Sequence, residues 1–244
     1  MGNALKPGYY DTANAGWAKY AANNGLERQL KILKEEEIKA SVFCSGVQME
    51  RHPDLIKKIA AEGHEVCLHS LAQNIIPIYL DEATEREQMS HCLDLAVSLT
   101  GKHPVGYCSP RCTPSLNTSK LLAENGLKYT IDWMGSDLPM VEHTEAGDIC
   151  LMPFPMNVND MPLYVRYGNA PDQYYRNLVD EFENWYAKHP EEKVVYWITA
   201  HSHVFGRPFG AVQFQRCIQY IKSLPYVWIA QPHEVASTVL DVTY

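Results

Sequence analysis

The chain has 244 residues, of which 46% are hydrophobic and 20% charged, a balance typical of a folded globular protein. Its net charge is −8, from 21 Lys and Arg against 29 Asp and Glu, which disfavours a nucleic-acid or anionic-membrane partner. Residues 1–13 contain no apolar leader, and no apolar run reaches membrane-spanning length. These features predict a cytoplasmic protein without a membrane partner.

The cysteines favour packing over metal binding or disulfides. Their number is odd, and several lie inside apolar runs, which predicts reduced, buried thiols. Cys108 and Cys112 are four residues apart, but no second Cys or His pair with zinc-finger spacing follows them. A structural zinc site is therefore not predicted. The seven cysteines are at positions 44, 67, 92, 108, 112, 150 and 217.

The first quarter of the chain predicts a helix followed by strand–helix–strand. Residues 1–24 lack periodicity and are interpreted as a loop or an N-terminal arm. From Leu26 the apolar residues repeat on one helical face. The segments that follow are a strand at Ala40–Cys44, a helix at Pro53–Glu62 and a strand at His64–Leu68.

The middle of the chain continues this alternation. Asp81 can cap a long helix that ends at Thr100-Gly101. Residues 137–169 are rich in Pro and Met and are predicted to be irregular, apart from one strand at Ile149–Met152. The other predicted elements are strands at Val105–Cys108 and Lys128–Asp132 and a helix at Ser115–Glu124.

The last third contains both helical and β patterns. Helices are predicted at Asp172–Lys188, Val212–Leu224 and His233–Leu240, and strands at Val194–Ala200 and Val227–Ala230. We find no internal repeat, linker or change of composition. One domain spanning residues 1–244 is therefore predicted.

Strands that alternate with helices predict an α/β fold with a parallel sheet. A barrel is the natural closure for five to six such repeats. An open doubly wound sheet is the competing arrangement, but no Gly-x-Gly-x-x-Gly follows a first strand. Because the first predicted element is a helix, a barrel in this chain lacks its first strand.

Polar residues follow the ends of several predicted strands, where α/β proteins place their chemistry. His69 follows one strand, Arg111 lies in the loop after the next, and His201 follows the strand at Val194–Ala200. Asp132 ends the strand at Lys128–Asp132, and Asp137 follows it. In a barrel these side chains converge on one mouth, which makes them candidates for a functional site.

Each candidate also has a structural interpretation. His69 can bond a backbone carbonyl, Arg111 can pair with Asp137, and Asp132 can cap a turn, so Asp137 ranks above it. His201 and His203 alternate along an extended segment, so at most one of them should reach the site.

Five motifs in this chain resemble the polysaccharide deacetylase superfamily, the NodB-homology or carbohydrate esterase 4 group, over residues 25–240. The resemblance implies a distorted (β/α)7 barrel with its site at the strand C-termini. The motifs are Ser45-Gly46 with Glu50-Arg51-His52-Pro53; Gly63-His64-Glu65-Val66 with His69; Thr100-Gly101 with Pro104-Val105-Gly106-Tyr107 and Ser109-Pro110; Asp137-Leu138-Pro139; and His201-Ser202-His203-Val204-Phe205-Gly206-Arg207-Pro208.

The resemblance also implies what this chain lacks. The family binds zinc through one Asp and a His-x-x-x-His pair, and it uses a second Asp as the base. His69 matches the first metal histidine, but Gln73, followed by Asn74, stands at the second position, and no Asp-Asp pair precedes it. Accordingly, no cofactor is expected, with zinc or another divalent metal as the alternative and His69 as its ligand.

The sequence is more similar to the allantoinase-like and cyclic-imide-hydrolase-like branch of this superfamily. That branch implies hydrolysis of a non-peptide C–N bond in a small linear or cyclic amide, and it can work without a bound metal. His201 is the expected acid or base and Arg111 the clamp on the substrate carbonyl. Asp137 is expected to orient one of these two side chains. The expected substrate contacts are His69, Gln73, Glu50 and His203.

Two other functions stay open. The first is a metal-dependent N-deacetylase for a polysaccharide or amino sugar. The second is a catalytically inactive barrel that serves as a binding or assembly partner. Relatives in the allantoinase-like branch associate, so a homo-oligomer, dimer or tetramer, is expected.

Overall fold

The structure, a computed structural model, describes residues 8–241. These residues form two compact units. The six-stranded unit comprises residues 39–154, 193–195 and 230–241, and the two-stranded unit comprises residues 8–38, 155–192 and 196–229. No helix in the described part of the chain is long and apolar enough to cross a membrane. The prediction of a single domain stays a prediction.

The helices largely follow the predicted amphipathic segments. Asp81 caps α5 by accepting a hydrogen bond from the Thr84 backbone N–H (2.8 Å), and Gly101 ends it in the left-handed conformation. Pro53 opens α4 at a first-turn position where its missing N–H costs nothing. The helices are α1 Thr12–Tyr20, α2 Leu26–Glu35, α3 Gly46–Arg51, α4 Pro53–Ala61, α5 Glu82–Thr100, α6 Thr118–Glu124, α7 Gln173–Glu181, α8 Pro208–Lys222 and α9 Pro232–Leu240.

Shorter helical turns connect or extend these helices. The π-helical turn Ala21–Gly25 joins α1 to α2, Met161–Arg166 forms another, and Phe182–Tyr186 extends α7. Turns of 3-10 type lie at Pro77–Tyr79 and Pro110–Cys112.

The six-stranded unit is built on a mostly parallel sheet of order β1-β2-β3-β4-β6-β5, in which only β5 runs antiparallel, to β6. Parallel pairing places the C-terminal ends of β2, β3 and β4 along one edge of the sheet. The strands are β1 Ser41–Cys44, β2 Glu65–Leu68, β3 Gly106–Tyr107, β4 Tyr129–Trp133, β5 Met140–Thr144 and β6 Gly147–Pro153. The predicted α/β class is confirmed.

The two-stranded unit contains the parallel pair β7 Val158–Asn159 and β8 Ile198–Thr199. Helices α7 and α8 pack against an aromatic-rich core in this unit. Its fully buried members are Val158, Tyr174, Leu178, Phe182, Val204, Phe205, Cys217 and Ile221.

Several local predictions were wrong. Residues 12–25 are helical rather than a loop, because Asp11 caps α1 by accepting from the Asn14 N–H at 2.9 Å. The predicted strand at Val227–Ala230 has no strand partner among the described residues, since its alternation reflects Val227 packing on the core while Trp228 stays exposed.

The predicted irregular region and the late β run also differ from the structure. Within residues 137–169, β5 and β6 form a hairpin closed by Gly147, whose φ is +133°. Of the predicted Val194–Ala200 strand only Ile198–Thr199 pairs with another strand, and Tyr196 packs on the core instead of extending the ladder. All seven cysteines are free thiols, six of them buried, as the sequence predicted.

Candidate active site

His69 is the first residue after β2, at the C-terminal edge of the parallel sheet. Its Nδ1 lies 2.7 Å from the carbonyl oxygen of Cys108, which follows β3. A carbonyl only accepts hydrogen bonds, so Nδ1 carries the proton and donates it. The ring is therefore held in one orientation by the neighbouring strand, as the structural interpretation of His69 predicted.

Asp132, in β4, holds the loop that follows β3. Its two carboxylate oxygens accept hydrogen bonds from the Ser109 N–H at 3.1 and 2.9 Å and from the Thr130 hydroxyl at 3.0 Å. Burial raises the pKa of Asp132, and these hydrogen bonds act in the opposite direction. Asp132 thus anchors a neighbouring loop rather than capping a turn of its own.

Arg111 lies in that anchored loop with an exposed side chain. Arg111 and Cys112 both have left-handed backbone conformations, with φ of 59° and 53°, which cost a non-glycine residue free energy. Within residues 8–241, Arg111 makes no ion pair or side-chain hydrogen bond. The predicted pairing with Asp137 is corrected: Asp137 is exposed, and its contact is a backbone one, to the Val195 N–H at 3.1 Å.

Two further predicted contacts lie on the surface of the six-stranded unit. Glu50 is on α3, where its carboxylate pairs with Nε2 of His91 at 2.8 Å. Gln73 is exposed in a turn between β2 and α5. The substrate-binding roles predicted for Glu50 and Gln73 stay predictions.

His201, in the two-stranded unit, is paired with a buried carboxylate. Its Nδ1 donates to Asp160 Oδ1 at 2.6 Å, and Asp160 Oδ2 accepts from the backbone N–H groups of His201 (2.8 Å) and Phe205 (3.1 Å). Asp160 is fully buried, whereas the His201 side chain is 37% exposed. The carboxylate therefore fixes the ring and leaves Nε2 as the nitrogen for chemistry.

Two opposing effects set the charge of His201. Burial acts to lower its pKa, but the negative charge of Asp160 and its hydrogen bond outweigh burial, so the pKa lies above the ordinary value. The imidazolium form thus persists to higher pH than in a free histidine. Asp137 was predicted to orient Arg111 or His201, but the carboxylate bonded to His201 is that of Asp160.

His203 lies beside His201 with their ring centroids 5.8 Å apart. The prediction that the two side chains face opposite ways was wrong, because residues 201–206 form a turn rather than a strand. Burial, followed by the positive charge of His201, lowers the pKa of His203 to about 4. The two pKa values are thus shifted in opposite directions, so His201 holds a proton to higher pH than His203 does.

The donor groups around His69 do not complete a metal site. Among residues 8–241, one group of three His, Cys, Asp or Glu side chains is close enough to share an ion. It comprises His189, Glu191 and Glu192 on the surface of the two-stranded unit. Zinc requires about three protein ligands, and Gln73 stands at the position where the family has its second metal histidine.

Sequence reasoning missed Asp160 entirely. It lies directly after β7, a strand of two residues inside a region predicted to be irregular. The available signal was short: an acidic residue after the apolar Val158 and before Met161-Pro162, which begin a helical turn. A search for acids at the ends of short strands would have found it.

Comparison with known proteins identifies the family. Residues 8–130 match the family model for polysaccharide deacetylase. This chain belongs to the polysaccharide deacetylase family. Its members act as hydrolases on C–N bonds other than peptide bonds, and so does this chain.

Three relatives match almost the whole of this chain. The Puue allantoinase structure is 30% identical, with a TM-score of 0.86, and the match covers 96% of this chain and 78% of that one. A probable polysaccharide deacetylase from Pseudomonas aeruginosa PAO1 is 29% identical, with a TM-score of 0.84 and coverage of 96% and 79%. The peptidoglycan deacetylase of Helicobacter pylori is 24% identical over 91% of this chain and 85% of that protein.

Proposed function

We propose that this polysaccharide deacetylase homologue hydrolyses a small linear or cyclic amide, with His201 as its general acid and base. The observation that carries the proposal is the Asp160–His201 pair, a buried carboxylate bonded to Nδ1 of a partly exposed imidazole. The similarity to an allantoinase over 96% of the chain favours a compact amide over a polymer.

The chemistry requires one proton to move twice. Neutral His201 accepts a proton at Nε2 as water adds to the amide carbonyl, giving a tetrahedral intermediate. The imidazolium then donates that proton to the leaving nitrogen as the C–N bond breaks, which yields an acid and an amine. Asp160 keeps the ring oriented and stabilises the imidazolium between the two steps.

The roles of the other predicted residues belong to this proposal. Arg111, a cation without an ion-pair partner among the described residues, suits a contact with a substrate oxygen through its guanidinium. His69 suits positioning, because its ring is already fixed by the Cys108 carbonyl. Asp137 is not assigned an orienting role.

A second candidate function is N-deacetylation of a polysaccharide or amino sugar. The match to the polysaccharide deacetylase model and to the Helicobacter pylori enzyme favours it. It needs a divalent metal on the family pattern, for which His69 is the matching ligand in this sequence. The incomplete donor set at His69 counts against it.

The test is a substrate panel with ureides, cyclic imides and N-acetylated amino sugars, assayed with and without a chelator. The proposal expects turnover of a ureide or imide that a chelator does not alter and that His201→Gln abolishes. Chelator-sensitive release of acetate, with stoichiometric metal in the purified protein, would overturn it in favour of deacetylation. Absence of turnover on all three classes would instead indicate an inactive binding partner.

Location and assembly complete the proposal. We propose that the protein is a cytoplasmic homo-oligomer. Light scattering coupled to size-exclusion chromatography checks the assembly: a single species at the mass of one chain, 27.7 kDa, would contradict it.

A further inference from the structure

The N-terminal segment, residues 12–35, contacts the turn that carries the candidate acid and base. We define this histidine turn as residues 200–206. Buried Gln29 donates from Nε2 to the Ala200 carbonyl (3.2 Å) and accepts from the Ser202 hydroxyl (2.6 Å). The Trp17 indole N–H donates to the His203 carbonyl at 2.9 Å. Three backbone or hydroxyl groups of the histidine turn are thus bonded by the N-terminal segment.

The two segments also approach at backbone distance. A Cβ on Gly25 would lie 1.8 Å from the Ser202 carbonyl oxygen, and one on Gly206 would lie 2.1 Å from the same atom. Both distances exclude any side chain, so glycine is required on each side of the contact. The Arg28 guanidinium donates to the Gly206 carbonyl and to the Tyr20 hydroxyl. The conformation of the histidine turn therefore depends on the N-terminal segment.

Trp17 makes a second contact, through its ring. The indole packs edge-on against the His203 imidazole, with centroids 4.7 Å apart and an interplanar angle of 68°. His203 in turn lies at right angles to His201, at 82°. A continuous series of ring contacts thus leads from α1 to the residue that bonds Asp160.

We propose that Trp17 is a positioning residue of the candidate site: by holding His203 against His201, it gives the N-terminal segment a direct part in the hydrolysis. The inference rests on the proposed function of His201. It assigns a role to residues that the sequence placed in an unstructured arm.

The electrostatics of the turn support this role. His203 faces the Trp17 ring, the imidazole of His201, the carboxylate of Asp160 and the guanidinium of Arg207. Burial against these groups is the main reason that the pKa of His203 is lowered to about 4. A neutral His203 cannot compete with His201 for the transferred proton. The proton therefore stays on the His201 imidazole, which Asp160 orients.

Core packing alone does not explain Trp17. None of the residues of α1 is buried, so this helix is not a core element of the two-stranded unit. Trp17 is only partly buried against the edge of the core. It nevertheless makes two contacts with His203, a hydrogen bond to its carbonyl and a ring contact with its imidazole. We therefore expect its loss to alter His203 and His201 more than it alters global stability.

The experiment compares Trp17→Phe and Trp17→Ala with Trp185→Phe. Trp185 is a matched control in the same unit, because its indole N–H also makes one hydrogen bond, to Glu192 at 2.7 Å, on the exposed surface. Histidine NMR titrations of the full chain measure the pKa of His201 and His203, and hydrolysis of the active amide gives kcat against pH.

We expect the His203 pKa to rise in both Trp17 variants, more in Trp17→Ala than in Trp17→Phe, which keeps an aromatic ring. The value of kcat should fall roughly tenfold or more in Trp17→Ala, since misplaced catalytic groups lower rates by one to two orders of magnitude. Trp185→Phe should change neither the titrations nor the pH profile.

Two results separate the possible failures. Unchanged titrations and an unchanged kcat in Trp17→Ala, with the fold intact by circular dichroism, would overturn the role of Trp17 and leave the proposed function standing. A wild-type chain that hydrolyses none of the amides would overturn the proposed function, and an unaltered His203 titration in Trp17→Ala would then also refute the contact.

Discussion

His69 and His201 are both held through Nδ1, but by different acceptors. His69 is bonded to the neutral carbonyl of Cys108, and His201 to the ionised carboxylate of Asp160. A carbonyl fixes the tautomer and orientation of a ring, whereas a buried carboxylate also stabilises the imidazolium. This difference is why the proposed function gives His69 the orientation of a ligand and His201 the exchange of a proton.

The largest expected effect follows from removing the proton carrier. His201→Gln should lower hydrolysis by at least about three orders of magnitude, because general acid–base catalysis contributes factors of roughly 10² to 10⁴. Circular dichroism should show an intact fold. His189→Gln, at an exposed histidine of the same unit, is the control, and a rate for His201→Gln within tenfold of wild type would refute the assignment.

The second prediction tests the role of the Asp160 carboxylate. Asp160→Asn should lower kcat by about two to four orders of magnitude at neutral pH, since a misdirected or uncharged partner disables a catalytic histidine. Because the neutral ring begins the reaction, the rate falls as pH drops through the pKa of His201, and that pKa is lower without the carboxylate. The acidic limb of the pH–rate profile should therefore move to lower pH, and a profile with an unchanged limb would contradict this role.

The same substitution affects stability in a defined pH range. The folded-state pKa of His201 is raised, so its contribution to the free energy of unfolding is present at acidic pH and lost as pH rises through that pKa. Asp160→Asn should therefore lose more stability at pH 5 than at pH 9, as measured by urea denaturation. An equal loss at both pH values would show that the pair does not hold the extra proton.

A smaller effect is expected at His69. The amide of His69→Asn can still donate to the Cys108 carbonyl but removes Nε2, so we expect KM to rise several-fold with little loss of stability. The rate at saturation should fall by no more than about tenfold if His69 only positions the ligand. A loss of rate as large as that of His201→Gln, together with metal in the wild-type protein, would show that His69 does more than position the ligand.

The smallest effect concerns Arg111, whose left-handed backbone favours glycine. Arg111→Gly should raise the free energy of unfolding by about 1 kcal/mol, because strained backbone positions cost 1–3 kcal/mol, while weakening substrate binding. Arg111→Lys keeps both the charge and the strain, so it should leave stability unchanged. An Arg111→Gly variant that is less stable would show that the side chain packs in a way that offsets the strain.

The strand and helix positions near the sheet could be predicted because their signals are local. The alternation around Glu65–Leu68 and the caps at Asp81 and Gly101 act within a few residues of each other. The Asp160–His201 pair could not be predicted in this way. Its two members are 41 residues apart, and β7 and β8, which bring them together, are only two residues long each.

The N-terminal segment was missed for a related reason. The capping of α1 by Asp11 is local and could have been read from the sequence, but α1 has no apolar face that would predict a packed helix. The segment is held by hydrogen bonds to residues 171 or more positions away and by the close approach of Gly25 to Gly206. Contacts of this kind leave no periodic pattern.

One measurement tests the central claim directly: the NMR titration of the His201 imidazole in the wild-type chain and in Asp160→Asn. With the carboxylate present, the pKa of His201 should lie above its ordinary value. In Asp160→Asn, burial is left to act alone, and the pKa should fall below that value. A wild-type pKa at or below that of the variant would contradict the account, because Asp160 would then not be holding a proton on His201.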